Sequence, residues 1–267
     1  MALVAVVVTA ATAATASAEV CKPAPTAATV GRPAGLPAPT VIDDDVHTTH
    51  DGQVFDNVEF RGRVYVDHHG VVIRNSRLIG DQYYAVYATA DDNNFTIERS
   101  DLNSGMAVAN GTVIRDVHVS RSAWSGDGLN ISADDVLVDH VLIDGLFGGY
   151  DDHLDGIQVM SGRRVTIRDS WVDASAPLIP GPTGGDNAAI FFSADLGPIS
   201  DASVTCTTMI PGNASLPEHA GYTLRIYDVT GTVRVGRNRF GRLHDFGPVD
   251  LRGLANTPAW CDNRYLD

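Results

Sequence analysis

The chain has 267 residues, 44% of them hydrophobic, and a formal net charge of −14. That length and apolar content allow one sizeable core and exclude a chain too polar to fold. Lys22 is the only lysine, so the basic footprint of a nucleic-acid binder is absent, and an anionic ligand would need local arginines or a bridging cation.

In chain order, Met1 to Ala18 reads as a signal peptide. The apolar run Leu3 to Val8 leads into Ala16-Ser17-Ala18, an A-x-A cleavage site before Glu19. The run is too short to span a bilayer, and no other segment reads as a membrane span, so the expectation is a secreted protein with no membrane contact after cleavage. Residues 19–40 are rich in Pro, Ala and Thr and read as a leader or an N-terminal cap over an open solenoid end. Residues 41–267 carry a repeat.

The repeat is six residues long: apolar, x, x, small or Asn, x, apolar. Clear copies are Ile73-Arg74-Asn75-Ser76-Arg77-Leu78, Ile97 to Leu102, Ile114 to Val119 and Ile167 to Val172. Phe55 to Phe60, Val138 to Ile143, Val204 to Met209, Val235 to Phe240 and Trp260 to Tyr265 complete nine anchors. Two short strands joined by a tight bend would point the first, fourth and last columns inward. The fourth (Val58, Ser76, Ser100, Val117, Val141, Ser170, Thr207, Asn238, Asn263) could then form a ladder of small or hydrogen-bonding side chains. A third strand precedes most anchors: Ala85 to Ala88, Met106 to Val108, Leu129 to Ile131, Ile157 to Val159, Ala188 to Phe192, Thr223 to Tyr227 and Val249 to Leu251. No 3.6-residue periodicity persists, and β-branched residues fill the anchors. With 29 Asp against only 4 Glu, the acids also suit turns rather than helices. The pattern predicts an all-β chain folded as a right-handed parallel β-helix, a solenoid of about nine coils with three short strands each, roughly 43 Å long.

Export would permit one disulfide among the three cysteines and leave one odd thiol. Cys206 and Cys261 lie two coils apart, roughly 9–10 Å and beyond ordinary disulfide reach. Cys21 can pair only if the leader folds back.

Val72-Ile73-Arg74-Asn75-Ser76, Asp127-Gly128-Leu129-Asn130 and His153-Leu154-Asp155-Gly156-Ile157-Gln158 resemble the right-handed β-helix proteins of the pectate-lyase-like superfamily. The resemblance covers about residues 41 to 267. It is specific for fold and weak for reaction, since that superfamily holds polysaccharide lyases, glycoside hydrolases, uronate epimerases, esterases and non-catalytic surface proteins. It implies a polysaccharide partner lying along the third-strand face.

Strand alternation points Leu129, Ile131, Ile157 and Val159 inward and stacks Asn130 above Gln158 on the outside. Asp127 and Asp155 stand at the entries of those strands. Arg225 falls in the same outward column two coils later, and Asp250 and Arg252 continue it. Three long excursions, Asp144 to Gly156, Asp173 to Asn187 and Ile210 to Gly221, return beside this face, where binding residues tend to collect.

Three functions compete for these groups. A lyase acting by β-elimination on an acidic polysaccharide needs a base, for which His153 and Arg225 are candidates; the arginine is carried over from the pectate lyases by resemblance. Asp151, Asp152 and Asp155 are then candidate ligands of a Ca²⁺ that bridges to the sugar carboxylate. A glycoside hydrolase would use Asp127 and Asp155 as its paired carboxyls. A non-catalytic carbohydrate-binding solenoid needs neither. In each case Asn130, Gln158, Tyr150, Tyr227 and Asp250 are the expected substrate contacts. The expected assembly is a monomer.

Overall fold

Each six-residue anchor turns a corner, and one backbone conformation makes the turn. The third residue of every anchor (Asn57, Asn75, Arg99, Asp116, His140, Asp169, Cys206, Arg237 and Asp262) has φ between 45° and 60°. This left-handed region is least costly for Gly, Asn and Asp, and five of the nine are Asn or Asp. The residue after it points inward and closes the corner.

A computed structural model of the chain describes residues 20–80, 83–88, 94–120, 126–146, 154–175, 188–211, 221–242, 249–251 and 259–266. Among the described residues there is no helix. The strands form a parallel β-helix of three sheets, named here in the order an anchor visits them. The first sheet runs from Val54–Asp56 to Ala259–Cys261 in nine strands. All nine anchor starts are in register: Phe55, Ile73, Ile97, Ile114, Val138, Ile167, Val204, Val235 and Trp260. The second sheet carries the anchor ends from Phe60 to Tyr265. It also contains a tenth strand, Thr40–Ile42, which the anchor pattern does not mark. The third sheet runs from Val46–His47 through Val64–Val66 and the expected third strands to Val249–Asp250.

The inward columns make one continuous core, with Phe60, Phe95, Phe192 and Phe240 among its largest buried side chains. The fourth-column ladder forms as the pattern predicts. Ser76 Oγ accepts the Val58 N–H at 3.1 Å, and Ser100 Oγ accepts the Ser76 N–H at 3.1 Å. Further along, Asn238 Oδ1 accepts the Thr207 N–H at 2.9 Å, and Asn263 Oδ1 accepts the Asn238 N–H at 2.9 Å. Each bond satisfies a buried N–H that the corner would otherwise orphan.

The N-terminal segment is a strap along the corner edge rather than a leader that lies over the open end. Cys21 is disulfide-bonded to Cys206 of the seventh anchor, Cα to Cα 5.4 Å, and Cys261 is a free, exposed thiol. The Lys22 N–H donates to Asp169 Oδ1 of the sixth anchor at 2.8 Å, and Lys22 Nζ donates to Asp139 Oδ1 of the fifth at 2.8 Å. The Gly31 N–H reaches the Asp116 carbonyl of the fourth at 2.9 Å, and the Arg32 N–H reaches Asp101 Oδ1 of the third at 3.1 Å. Gly31, at φ 83°, lets the strap lie flat where a Cβ would run into the Asp101 carboxylate. The strap ends beside Asn57 of the first anchor, and the chain enters the second sheet at Thr40. Residues 1–18, read as a signal peptide, lie outside the described residues.

Candidate functional site

The outward face of the third sheet presents one side chain per rung in the order His47, Tyr65, Tyr87, Ala107, Asn130, Gln158, Phe191, Arg225 and Asp250. Rungs are about 4.8 Å apart. The stacking of Asn130 on Gln158, and the place of Arg225 and Asp250 further along the same column, are as alternation predicts. Phe191 lies between Gln158 and Arg225.

One end of this column is aromatic, the centre is polar, and the other end is the Arg225–Asp250 pair, reached across Phe191. His47 stacks on Tyr65 with ring centres 4.4 Å apart, and Tyr65 meets Tyr87 edge to face at 6.3 Å. Tyr83 and Tyr87 are 43% and 40% exposed, so their rings are open to a ligand. Tyr84 is half-buried; burial pushes its phenol well above the ordinary tyrosine value, and Tyr83 and Asp127 add to the shift, so it keeps its proton as a donor. At the centre Asn130 Nδ2 donates to Gln158 Oε1 and to Asp127 Oδ2, each at 3.3 Å.

The floor drops at Ala107, the smallest side chain in the column. A hollow of about 450 Å³ opens there, lined by Tyr84, Tyr87, Ala107, Asn130, Met160 and Leu196. A second hollow of about 340 Å³ shares Asn110, Ser132, Ala133 and Leu196 with it and continues to Asp134 and Arg163. Together they form a trough across the third sheet. Apart from Asn130, its lining was not among the expected contacts, although alternation in Tyr84–Ala88 and Gly105–Val108 already sends Tyr87 and Ala107 outward.

Asp127 and Asp155 serve the backbone. Asp127 Oδ1 accepts the Asp155 N–H at 2.9 Å, and Asp155 Oδ1 accepts the Ala188 N–H at 2.7 Å. Each carboxylate thus caps the entry of the next coil. The glycine after each is required by packing: a Cβ on Gly128 would come within 2.6 Å of the Gly156 carbonyl oxygen, and one on Gly156 within 2.6 Å of that of Ala189. Asp127 is 5% exposed and Asp155 fully buried. Asp155, also a candidate Ca²⁺ ligand, has its Oδ1 engaged by the Ala188 N–H. The other two candidate ligands, Asp151 and Asp152, lie outside the described residues, as do His153, Tyr150 and Arg252. Among the described residues one cluster has metal-type ligand atoms, Cys21, Asp169 and Cys206, and its sulfurs are spent in the disulfide.

Arg225 is flanked by a carboxylate and by rings. Its Nε lies 3.2 Å from Asp250 Oδ2, and its guanidinium sits 4.7 Å from the centre of the Phe191 ring, with Tyr222 and Tyr227 at 5.7 and 5.8 Å. A guanidinium gains from a carboxylate and from ring faces only while it is charged. Asp250, 6% exposed, is therefore the partner of Arg225, while Tyr227, at 37%, keeps a face open.

Asp173, not among the expected site residues, ends the second-sheet strand Trp171–Asp173. Burial pushes its carboxyl above the usual carboxylate range and Asp144 adds to that, against opposing hydrogen bonds from Ser175. Asp144 in turn takes a 2.8 Å contact from His118 Nε2.

No family model, no curated protein and no solved structure matches this chain.

Proposed function

We propose that the protein is an exported, carbohydrate-active member of the pectate-lyase-like β-helices that holds an extended acidic polysaccharide along the third sheet. The observation that carries this reading is the outward column itself. Ring faces at the His47–Tyr87 end offer stacking surfaces, the Asn130–Gln158 amides offer hydrogen bonds beside them, and the hollow at Ala107 leaves room for a ring. Arg225, beside Asp250, adds a charged hydrogen-bonding group to the same column. Export is supported by the signal-like start and by the Cys21–Cys206 disulfide.

Elimination is the chemistry we assign to the same face, with roles redistributed. Arg225, paired with Asp250 and surrounded by rings, suits orienting a sugar; acting as base would forfeit those contacts. The base is then His153. Asp127 and Asp155 position strand entries, which weakens the paired-carboxyl hydrolase reading.

The test is affinity for pectate, alginate and glucuronan, measured beside the ultraviolet absorbance of unsaturated uronate with Ca²⁺ and with chelator. Ala107→Trp fills the hollow and is expected to weaken binding at least tenfold, about 1.4 kcal/mol, with the fold intact. Unchanged affinity in that variant, or no binding of any acidic glycan by the parent chain, refutes the reading. Binding without absorbance leaves a carbohydrate-binding solenoid and removes the lyase.

A further inference from the structure

Along most of this solenoid an arginine sits beside an acid of its own or a neighbouring rung. Arg74 pairs with Asp56 at 2.9 Å, Arg163 with Asp134 at 2.9 Å and Arg168 with Asp139 at 3.1 Å. One pair in the last coils breaks that pattern. On the second sheet Arg239 is in direct register with Arg264, and neither forms an ion pair with a described residue. Like charges directly opposed on neighbouring strands destabilise a sheet. The two line a hollow of about 270 Å³ together with Thr208, Arg237, Asp262 and Lys22. Asp262 is the one carboxylate among four cations there, and Lys22 is already bound to Asp139.

We propose that this hollow is a binding site for a tetrahedral oxyanion, a sulfate or phosphate group. Two guanidinium forks on adjacent rungs, about 4.8 Å apart, can close on one such group from two sides, and each fork matches a pair of its oxygens. A third arginine at the corner adds charge without needing to touch the anion. The anion removes the repulsion between Arg239 and Arg264, so the site and the sheet are stabilised together. It lies on the second sheet, away from the third-sheet trough, and stands whether or not the polysaccharide reading holds.

The group can arrive free or carried on a sulfated or phosphorylated polymer. Calorimetric titration of the full chain with inorganic sulfate, inorganic phosphate, dextran sulfate and uncharged dextran at low ionic strength separates these sources. Saturable binding that weakens with added salt is expected for at least one of the three anionic probes and not for dextran. Binding of dextran sulfate alone identifies a polymer-borne group; binding of the inorganic anions identifies a free one. The double variant Arg239→Gln/Arg264→Gln is expected to lose at least tenfold in affinity. Arg77→Gln, in the same outward column but beside Glu59, is expected to bind like the parent. Thermal melting gives a second readout. Without anion, Arg264→Gln should raise the midpoint by relieving repulsion, and sulfate should raise the parent's midpoint but not the double variant's. Equal affinity in parent and double variant, no binding of any anionic probe, or a lower midpoint in Arg264→Gln with no response to sulfate overturns the proposal.

Discussion

The corner edge and the third-sheet face belong to the same coils but spend their polar groups differently. At the corner, polar side chains are consumed within the fold: the fourth-column ladder satisfies N–H groups rung by rung, and Asp139 gathers Lys22, Arg115 and Arg168. On the third sheet the outward column changes chemistry at nearly every rung, from rings to a methyl to amides to an ion pair. Repetition maintains the solenoid, and departure from it marks where a ligand can be read. If that division is right, substitutions at the corner should cost stability, and substitutions on the face should cost binding.

The strap offers the strongest way to break the comparison. The disulfide closes a loop of sequence separation 185, and removing such a constraint costs about 3–5 kcal/mol. Cys21→Ser with Cys206→Ser should lower the denaturation midpoint accordingly. Hydrogen exchange should rise first in residues 20–39, with the third-sheet strands protected until global unfolding. Equal loosening of both regions would mean that the strap supports the face as well as the edge.

Asp139 comes next. It is 2% exposed and serves three cations. Asp139→Ala leaves them facing one another, and removing one partner of a buried pair costs up to about 3–5 kcal/mol; the partly exposed partners reduce the expectation to about 2–3. Burial raises the Asp139 carboxyl, but hydrogen bonds from Lys22 and Arg168 outweigh it and hold it below the ordinary value. A depressed carboxyl contributes stability that is complete above the unfolded pKa, about 3.9, and is lost as pH falls through the folded one. The parent should therefore lose its advantage over Asp139→Ala only below about pH 4. An advantage that persists well below that range would assign the effect to packing instead of charge.

Ala107→Trp is the converse experiment, with an expected effect of about 1.4 kcal/mol on glycan affinity and little on melting. A destabilised protein with unaltered affinity would reverse the assignment of edge and face.

The corner was legible because its chemistry repeats. All nine anchor starts, Phe55 to Trp260, pair where the pattern put them, and from Ile73 to Val235 the column is buried, while Phe55 is partly buried and Trp260 exposed at the ends of the stack. The strands Thr40–Ile42 and Val46–His47 escaped because they precede the first anchor and complete no anchor of their own. The strap escaped for another reason: the Cys21–Cys206 bond depends on a Pro-rich segment folding back, and such a segment has no period to read. On the face, alternation placed Asn130, Gln158, Arg225 and Asp250 correctly in one column. It could not show that Arg225 and Asp250 engage each other, or that Asp127 and Asp155 turn to backbone N–H groups, because those depend on side-chain direction. The hollow at Ala107 is an absence of side chain, visible only once three coils are in register.

Asp173 carries the smallest prediction and tests the boundary between the two regions. Its carboxyl is raised by burial, with Asp144 adding to the effect. The folded state therefore holds this proton more tightly than the unfolded chain does. Stability at this site is fully present below the unfolded pKa, about 3.9, and declines as pH rises through the folded value. Asn cannot ionise but can still accept the Ser175 N–H, which Asp173 Oδ1 accepts at 2.9 Å. Asp173→Asn should thus melt slightly higher than the parent at pH 7 and level with it at pH 3. A lower midpoint at pH 7 would make Asp173 a structural corner group like Asp139. A higher one would leave an ionisable group kept at some cost to stability at the end of a second-sheet strand, and such a cost is expected where a residue serves binding or chemistry more than the fold.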